Sequence, residues 1–285
     1  LKNYQNVSVV NVDLTKITGT GNEGRITEED VRKASKPEEK LPEIKIKKKY
    51  DMWGYVDRIP LKGIRKAIAK HMVESVKHAP HVTTMDEADV TELVKLRMQE
   101  KVKAEKMGIK LTYLPLIMKA CVAAIKEFPL VNSSLEEESE EIIIKKYYNL
   151  GFAVDVDGEG LIVPVIKYVD GKNILDIAKE LQELSDKART RKLDLMDMRG
   201  GTFSITNYGS IGSTFATPII NYPEVAILGL GMIHDKPIVI EGKIEIRKIL
   251  PLSLTFDHRV VDGAYATRFS NSLILHLQDP EKLLA

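Results

Sequence analysis

The stretch PIVIEGKIEIRKILPLSLTFDHR, residues 237–259, limits the fold more than any other part of the chain. Its second half alternates: Leu250, Leu252, Leu254 and Phe256 recur at the two-residue period of a strand with one face buried. Glu241 and Gly242, between the halves, suit a tight hairpin turn. A chain with such a hairpin builds a sheet, and GTFSITNYG and EVAILGLGMI upstream supply further strands. Other stretches follow the helical period. Ile64, Ile68, Met72 and Val76 step by four before Pro80, a helix is expected from Tyr113 to Phe128 before Pro129, and Ile174, Ile177, Leu181 and Leu184 share one face. HVTTMDEADV between them is expected to be extended, with Asp89 or Thr91 capping the next helix. The fold class is therefore α/β (α+β), a mixed sheet flanked by helices.

The sheet-building part spans residues 59–285. Before it, residues 35–58 hold two prolines and many charges with little apolar periodicity, and are expected to be a solvated linker. Residues 1–34 form a small separate unit in which Thr27 and Asp30 have capping-box spacing. Forty-two basic against 41 acidic side chains give no field that selects nucleic acid, and no apolar run approaches the ~20 residues of a membrane helix. The single cysteine, Cys121 in ACVAAI, forms no internal disulfide and is expected to be a buried, inert thiol in a reducing compartment, the cytoplasm or a mitochondrial matrix. Without an initiator Met or a leader, the chain is expected to be part of a longer polypeptide.

Two motifs carry chemistry. In TFDHRVVDGA, His258 arrives where the alternating strand ends, a place where a side chain is held rigidly beside a cleft. An imidazole titrating near neutrality can take a proton from a thiol or hydroxyl and return it. Asp262, four residues on, is suited to orienting that imidazole, to pairing with an arginine or to capping a helix, and Gly263 to a close approach or a positive φ. In GGTFSITNYGSIG, the hydroxyls of Ser204, Thr206 and Ser210 are candidates to stabilise an oxyanion. GTGNEG at 19–24 has dinucleotide-loop spacing but lacks the surrounding strand and helix, so it reads as a turn; no zinc-ligand spacing and no serine-hydrolase elbow occur.

These motifs, with NLGFAVDVDGEGLIVPVI, resemble the catalytic domain of the dihydrolipoamide acyltransferases, the core of 2-oxo acid dehydrogenase complexes; residues 1–34 resemble that family's peripheral subunit-binding domain. The resemblance implies transfer of an acyl group between dihydrolipoamide and coenzyme A, with His258 as base, Thr206 as oxyanion donor and Asp262 held by Arg65. It implies a fold like that of chloramphenicol acetyltransferase, a homotrimer with His258 of one subunit facing Thr206 of the next, and a cubic or dodecahedral cage. Its implied partners are a 2-oxo acid decarboxylase, a dihydrolipoyl dehydrogenase and a lipoyl domain. Arg25 matches a basic partner-binding position, but the basic first helix of the binding domain is not recognisable in LKNYQNVSVVN. No lipoyl-lysine segment occurs, so the lipoyl group is expected on a domain upstream. GSIGSTFATPIIN looks more like acetyl and branched-chain members than succinyl ones. The rival readings are a stand-alone acetyltransferase of the chloramphenicol type and a non-catalytic core component; the linker argues against the first and His258 against the second.

Overall fold

The computed structural model describes Gly21, Ile26, Thr27, Asp30, residues 47–156 and residues 160–284. The chain divides into two compact units, Leu1–Pro60 and Leu61–Ala285. In the first, the capping box forms: the Thr27 N–H and hydroxyl both donate to Asp30 Oδ2, and the Asp30 N–H donates to Thr27 Oγ1. Arg25, the other residues of the expected helical binding domain and positions 35–46 lie outside the described residues. The end of the expected linker is not featureless: β1 (Lys47–Tyr50) and β2 (Tyr55–Arg58) pair antiparallel. Asp51 Oδ1 accepts from the N–H groups of Trp53 and Gly54, closing the turn, and the Tyr50 and Tyr55 rings meet edge to face at 5.2 Å. A four-residue turn and one aromatic pair offset a charge-rich composition here.

The second unit opens with α1 (Gly63–His78), which ends before Pro80 as expected, followed by β3 (His81–Asp89), α2 (Thr91–Lys106) and α3 (Leu114–Glu127). Asp89 rather than Thr91 supplies the oxygen at the start of α2, accepting from the Thr91 N–H and hydroxyl. A hairpin follows, β4 (Ser133–Glu136) and β5 (Glu141–Ile144), paired antiparallel. Short strands follow: β6 (Leu150–Phe152), β7 (Val154–Val156), β8 (Gly160–Ile162) and β9 (Val165–Ile166). Asn173 caps α4 (Ile174–Arg189), whose stripe Ile174, Ile177, Leu181 and Leu184 is buried as its spacing requires. Then come β10 (Phe203–Asn207), β11 (Ala226–Leu230), β12 (His234–Ile240), β13 (Lys243–Asp257) and α5 (Gly263–Gln278).

Seven strands form a mixed sheet in the order β12-β13-β11-β10-β6-β9, with β3 on the other edge of β13. Strand β10 runs parallel to both β11 and β6, and the other pairs are antiparallel. Glu241 and Gly242 have φ of 48° and 80°, the double left-handed turn a two-residue hairpin needs. Leu250, Leu252, Leu254 and Phe256 are fully buried in one core with α3, α4 and α5, each contributing about 1.5–3 kcal/mol. Cys121 lies inside that core, where burial pushes its thiol far above the usual range.

Candidate active site

Strand β13 delivers His258 to a corner held from several sides. The buried Asp257 donates its N–H to the Val225 carbonyl at 2.8 Å, and His258 donates its N–H to the Pro80 carbonyl at 3.0 Å. The next side chain, Arg259, forks onto the Asp257 carboxylate through Nε and Nη2 and reaches Glu137 Oε1 with Nη1 at 2.7 Å. Hydrogen bonding from Arg259, then from His78, holds the Glu137 carboxyl below its usual range. The corner is thereby tied to the β4–β5 turn. The His258 side chain is exposed, 5.9 Å from the Phe256 ring, and its imidazole has no hydrogen-bond partner among the described residues.

Thr206 sits on β10, half-buried, and its hydroxyl too has no partner among the described residues. It borders a cavity of about 1070 Å³ that is also lined by Lys110, Tyr113, Arg189, Ser210 and Met232. Below it the sheet is tight. A side chain at Gly209 would strike the Gly231 carbonyl, and one at Gly231 the Thr214 carbonyl, so three main-chain segments touch. Ser204, two residues before Thr206, is buried. In register, Thr206 stands opposite Gly229 and Gly229 opposite Ser253. His258 lies five residues beyond Ser253, roughly 16 Å along the strand at ~3.3 Å per residue. A single chain does not bring His258 and Thr206 together.

Asp262 and Arg65 differ from the expected pair. Asp262 is the N-cap of α5, its carboxylate accepting from the Tyr265 N–H at 2.7 Å. Arg65 lies against Gly160 instead, and no ion pair joins it to Asp262 among the described residues. Of the three roles the spacing left open, the helix cap is the one seen within this chain, where an aspartate preceding a helix satisfies one of its free N–H groups. Gly263, the first residue of α5, has neither a positive φ nor a neighbour close enough to exclude a side chain. Sequence reasoning passed over Arg259, next to His258, and Glu224, a buried carboxyl pushed up to about 7 mainly by burial, against the nearby Ser204 hydroxyl, the hydrogen bond from Asn221 and the charge of Lys145. A charged residue directly before the unbroken apolar run VAIL was the one available signal.

With this geometry in view, a family model described as the 2-oxoacid dehydrogenases acyltransferase (catalytic domain) matches residues 54–285. The chain belongs to that acyltransferase family. A second model, the E3 binding domain, matches residues 10–32 of this acyltransferase. The acyltransferase is 44% identical over 299 residues to the dihydrolipoyllysine-residue acetyltransferase component of pyruvate dehydrogenase complex of Bacillus subtilis, covering 96% of this chain and 64% of that protein. The Staphylococcus aureus (strain Mu50) protein of the same name is 43% identical, covering 96% of this chain and 67% of its own length. The chain thus spans about two thirds or less of these relatives. Among solved structures, the dihydrolipoamide acetyltransferase of Azotobacter vinelandii aligns with a TM-score of 0.78 and 45% identity, covering 82% of this chain and 96% of that one. That structure was determined to investigate one serine, one histidine and one asparagine in the catalytic mechanism. The cubic core of a pyruvate dehydrogenase multienzyme complex aligns with the same TM-score and coverage at 44% identity.

Proposed function

We propose that this acyltransferase moves an acetyl group between the thiol of dihydrolipoamide and that of coenzyme A, using His258 from one copy of the chain and Thr206 from another. The supporting observation is a correspondence of position: the serine, histidine and asparagine investigated in the Azotobacter vinelandii enzyme have the order and spacings of Thr206, His258 and Asp262 here. Threonine keeps the hydroxyl of serine, and Asp262, which caps α5 here, stands where that enzyme has an asparagine.

A free thiol is mostly protonated at neutral pH, so its nucleophilic fraction depends on a base. The unpartnered imidazole of His258 takes the thiol proton. The thiolate attacks the thioester carbonyl, and the Thr206 Oγ–H donates to the oxyanion of the tetrahedral adduct. Collapse breaks the original C–S bond, and the departing thiolate recovers the proton from the His258 imidazolium. Thioester and thiol are exchanged for thioester and thiol, so one base, one donor and good positioning suffice. The cavity beside Thr206 gives room for a thiol arm. Since about 16 Å of strand separates the two groups within a chain, the site is completed between subunits, in keeping with a homotrimer. The relatives named above are acetyltransferases of pyruvate dehydrogenase complexes, which favours acetyl over branched-chain groups and a cubic core over a dodecahedral one. The lipoyl group comes from a domain outside these 285 residues. Residues 10–32, with Arg25, dock the dihydrolipoyl dehydrogenase component, and the 2-oxo acid decarboxylase supplies the acyl group.

The test is acyl exchange between acetyl-CoA and free dihydrolipoamide, with isobutyryl, isovaleryl and succinyl donors for comparison. His258→Ala should lower kcat by ~10²–10⁴ and Thr206→Ala by ~10²–10³. Co-assembling the two inactive variants should restore roughly a quarter of wild-type activity if random mixing makes mixed interfaces. No restoration, with mixed oligomers verified by mass, would place both groups in one subunit and refute the shared site.

A further inference from the structure

The reaction as derived leaves Glu224 without a part, although the residue lies between its two halves. Glu224 is 4% exposed; Oε1 accepts from Asn221 Nδ2 at 3.0 Å, while the buried Oε2 has no partner among the described residues. The same Asn221 amide reaches Ser204 Oγ at 3.3 Å, and its Oδ1 faces His71 Nε2 at 3.2 Å. The seat is made to measure on the other side as well: a Cβ at Gly201 would fall 2.7 Å from Oε1. Ser204 shares a strand face with Thr206, two residues on. Val225, the residue after Glu224, holds the Asp257 N–H at the corner that presents His258.

We propose that Glu224 is a positioning residue: by gripping Asn221 beside Ser204, its carboxyl fixes from one point both the strand that carries Thr206 and the corner that carries His258. This rests on the reading of those two residues as the reacting groups. Because they serve different active sites in an assembly completed between subunits, one carboxyl sets the register of two sites at once. Stability does not account for it. A buried carboxyl with an orphan oxygen is unfavourable, and a well-packed apolar side chain would suit such a place better. Glu224 touches no substrate and acts through Ser204, Asn221 and Val225.

The test uses the assembled chain and reads kcat, both KM values and Tm. Glu224→Ala should lower kcat about 10-fold or more with KM for acetyl-CoA and dihydrolipoamide unchanged within about twofold, since misplacement of the reacting groups acts on the transition state rather than on binding. Glu224→Gln, which keeps an oxygen for Asn221, should recover to within about threefold of wild type. Should the alanine variant fail to assemble, Ser204→Ala, which removes the β10 end of the contact, carries the same kcat-only expectation. Wild-type kcat in the assembled variants, or a loss that tracks Tm and that Gln does not rescue, overturns the proposal. Full activity in His258→Ala would instead overturn the reading of the base, so the two failures are told apart.

Discussion

Along β13, Ile244 and Ile246 are 77% and 75% exposed, whereas Leu252 and Leu254, on the same strand with the same alternation, are 2% and 1% exposed. The difference lies in their neighbours. Residues 243–249 pair only with β12, the other arm of their own hairpin, apart from Ile249, which also meets Asp89. Residues 252–256 have β11 on one side and β3 on the other. In that half even the polar positions are enclosed: Tyr208 donates its hydroxyl proton to Ser253 Oγ at 2.8 Å, and Thr83 and Thr255 share a hydrogen bond at 2.7 Å. Alternation makes a strand, but only elements brought from elsewhere in the chain decide whether its apolar side is a core or a surface.

Four substitutions sharpen that contrast. Phe256→Ala, in the enclosed half, should cost about 3–5 kcal/mol in urea unfolding. Next in size is the titration of Glu224, on the turn beside this half. Its folded pKa is raised from 4.5 to about 7, so its contribution to stability is fully present below about 4.5 and is lost as pH rises through about 7. The wild-type chain should therefore lose on the order of 3 kcal/mol relative to Glu224→Gln between pH 4.5 and pH 8, and parallel curves for the two would contradict the burial of that carboxyl. Tyr208→Phe leaves Ser253 Oγ buried without its donor and should cost about 1–2 kcal/mol. Ile246→Ser, in the open half, should change unfolding of the dissociated chain by less than about 0.5 kcal/mol; a cost like that of Phe256→Ala would erase the contrast between the halves.

What the sequence made legible is what repeats locally. The hairpin at Glu241-Gly242, the buried stripe of α4 and the thiol of Cys121 all follow from spacing and neighbours within a few residues. The β1–β2 hairpin escaped notice because its stability comes from Asp51 and a tyrosine pair rather than from an apolar period. Within the candidate site, His258 and Thr206 stood out through their motifs. Within this chain Asp262 caps α5 and makes no ion pair with Arg65 among the described residues, and spacing alone could not rank the local cap above a distant pair. The Glu224 cluster joins Ser204, Asn221 and His71, and the His71–Asn221 contact spans 150 residues, a separation at which no periodicity speaks.

The contact of Gly209 with Gly231 reaches beyond packing. Tyr208 donates its N–H to the Leu230 carbonyl, Met232 to the Ser213 carbonyl and Gly231 to the Pro251 carbonyl, so the loop after Thr206, the exit of β11 and the 213–214 segment are laced together through main chain. With main chain packed directly on main chain, these segments are expected to move as one piece. Any opening of the lip formed by Ser210 and Ile211 must carry Met232 with it, so a spin label on either side of the cavity mouth would report a single shared motion.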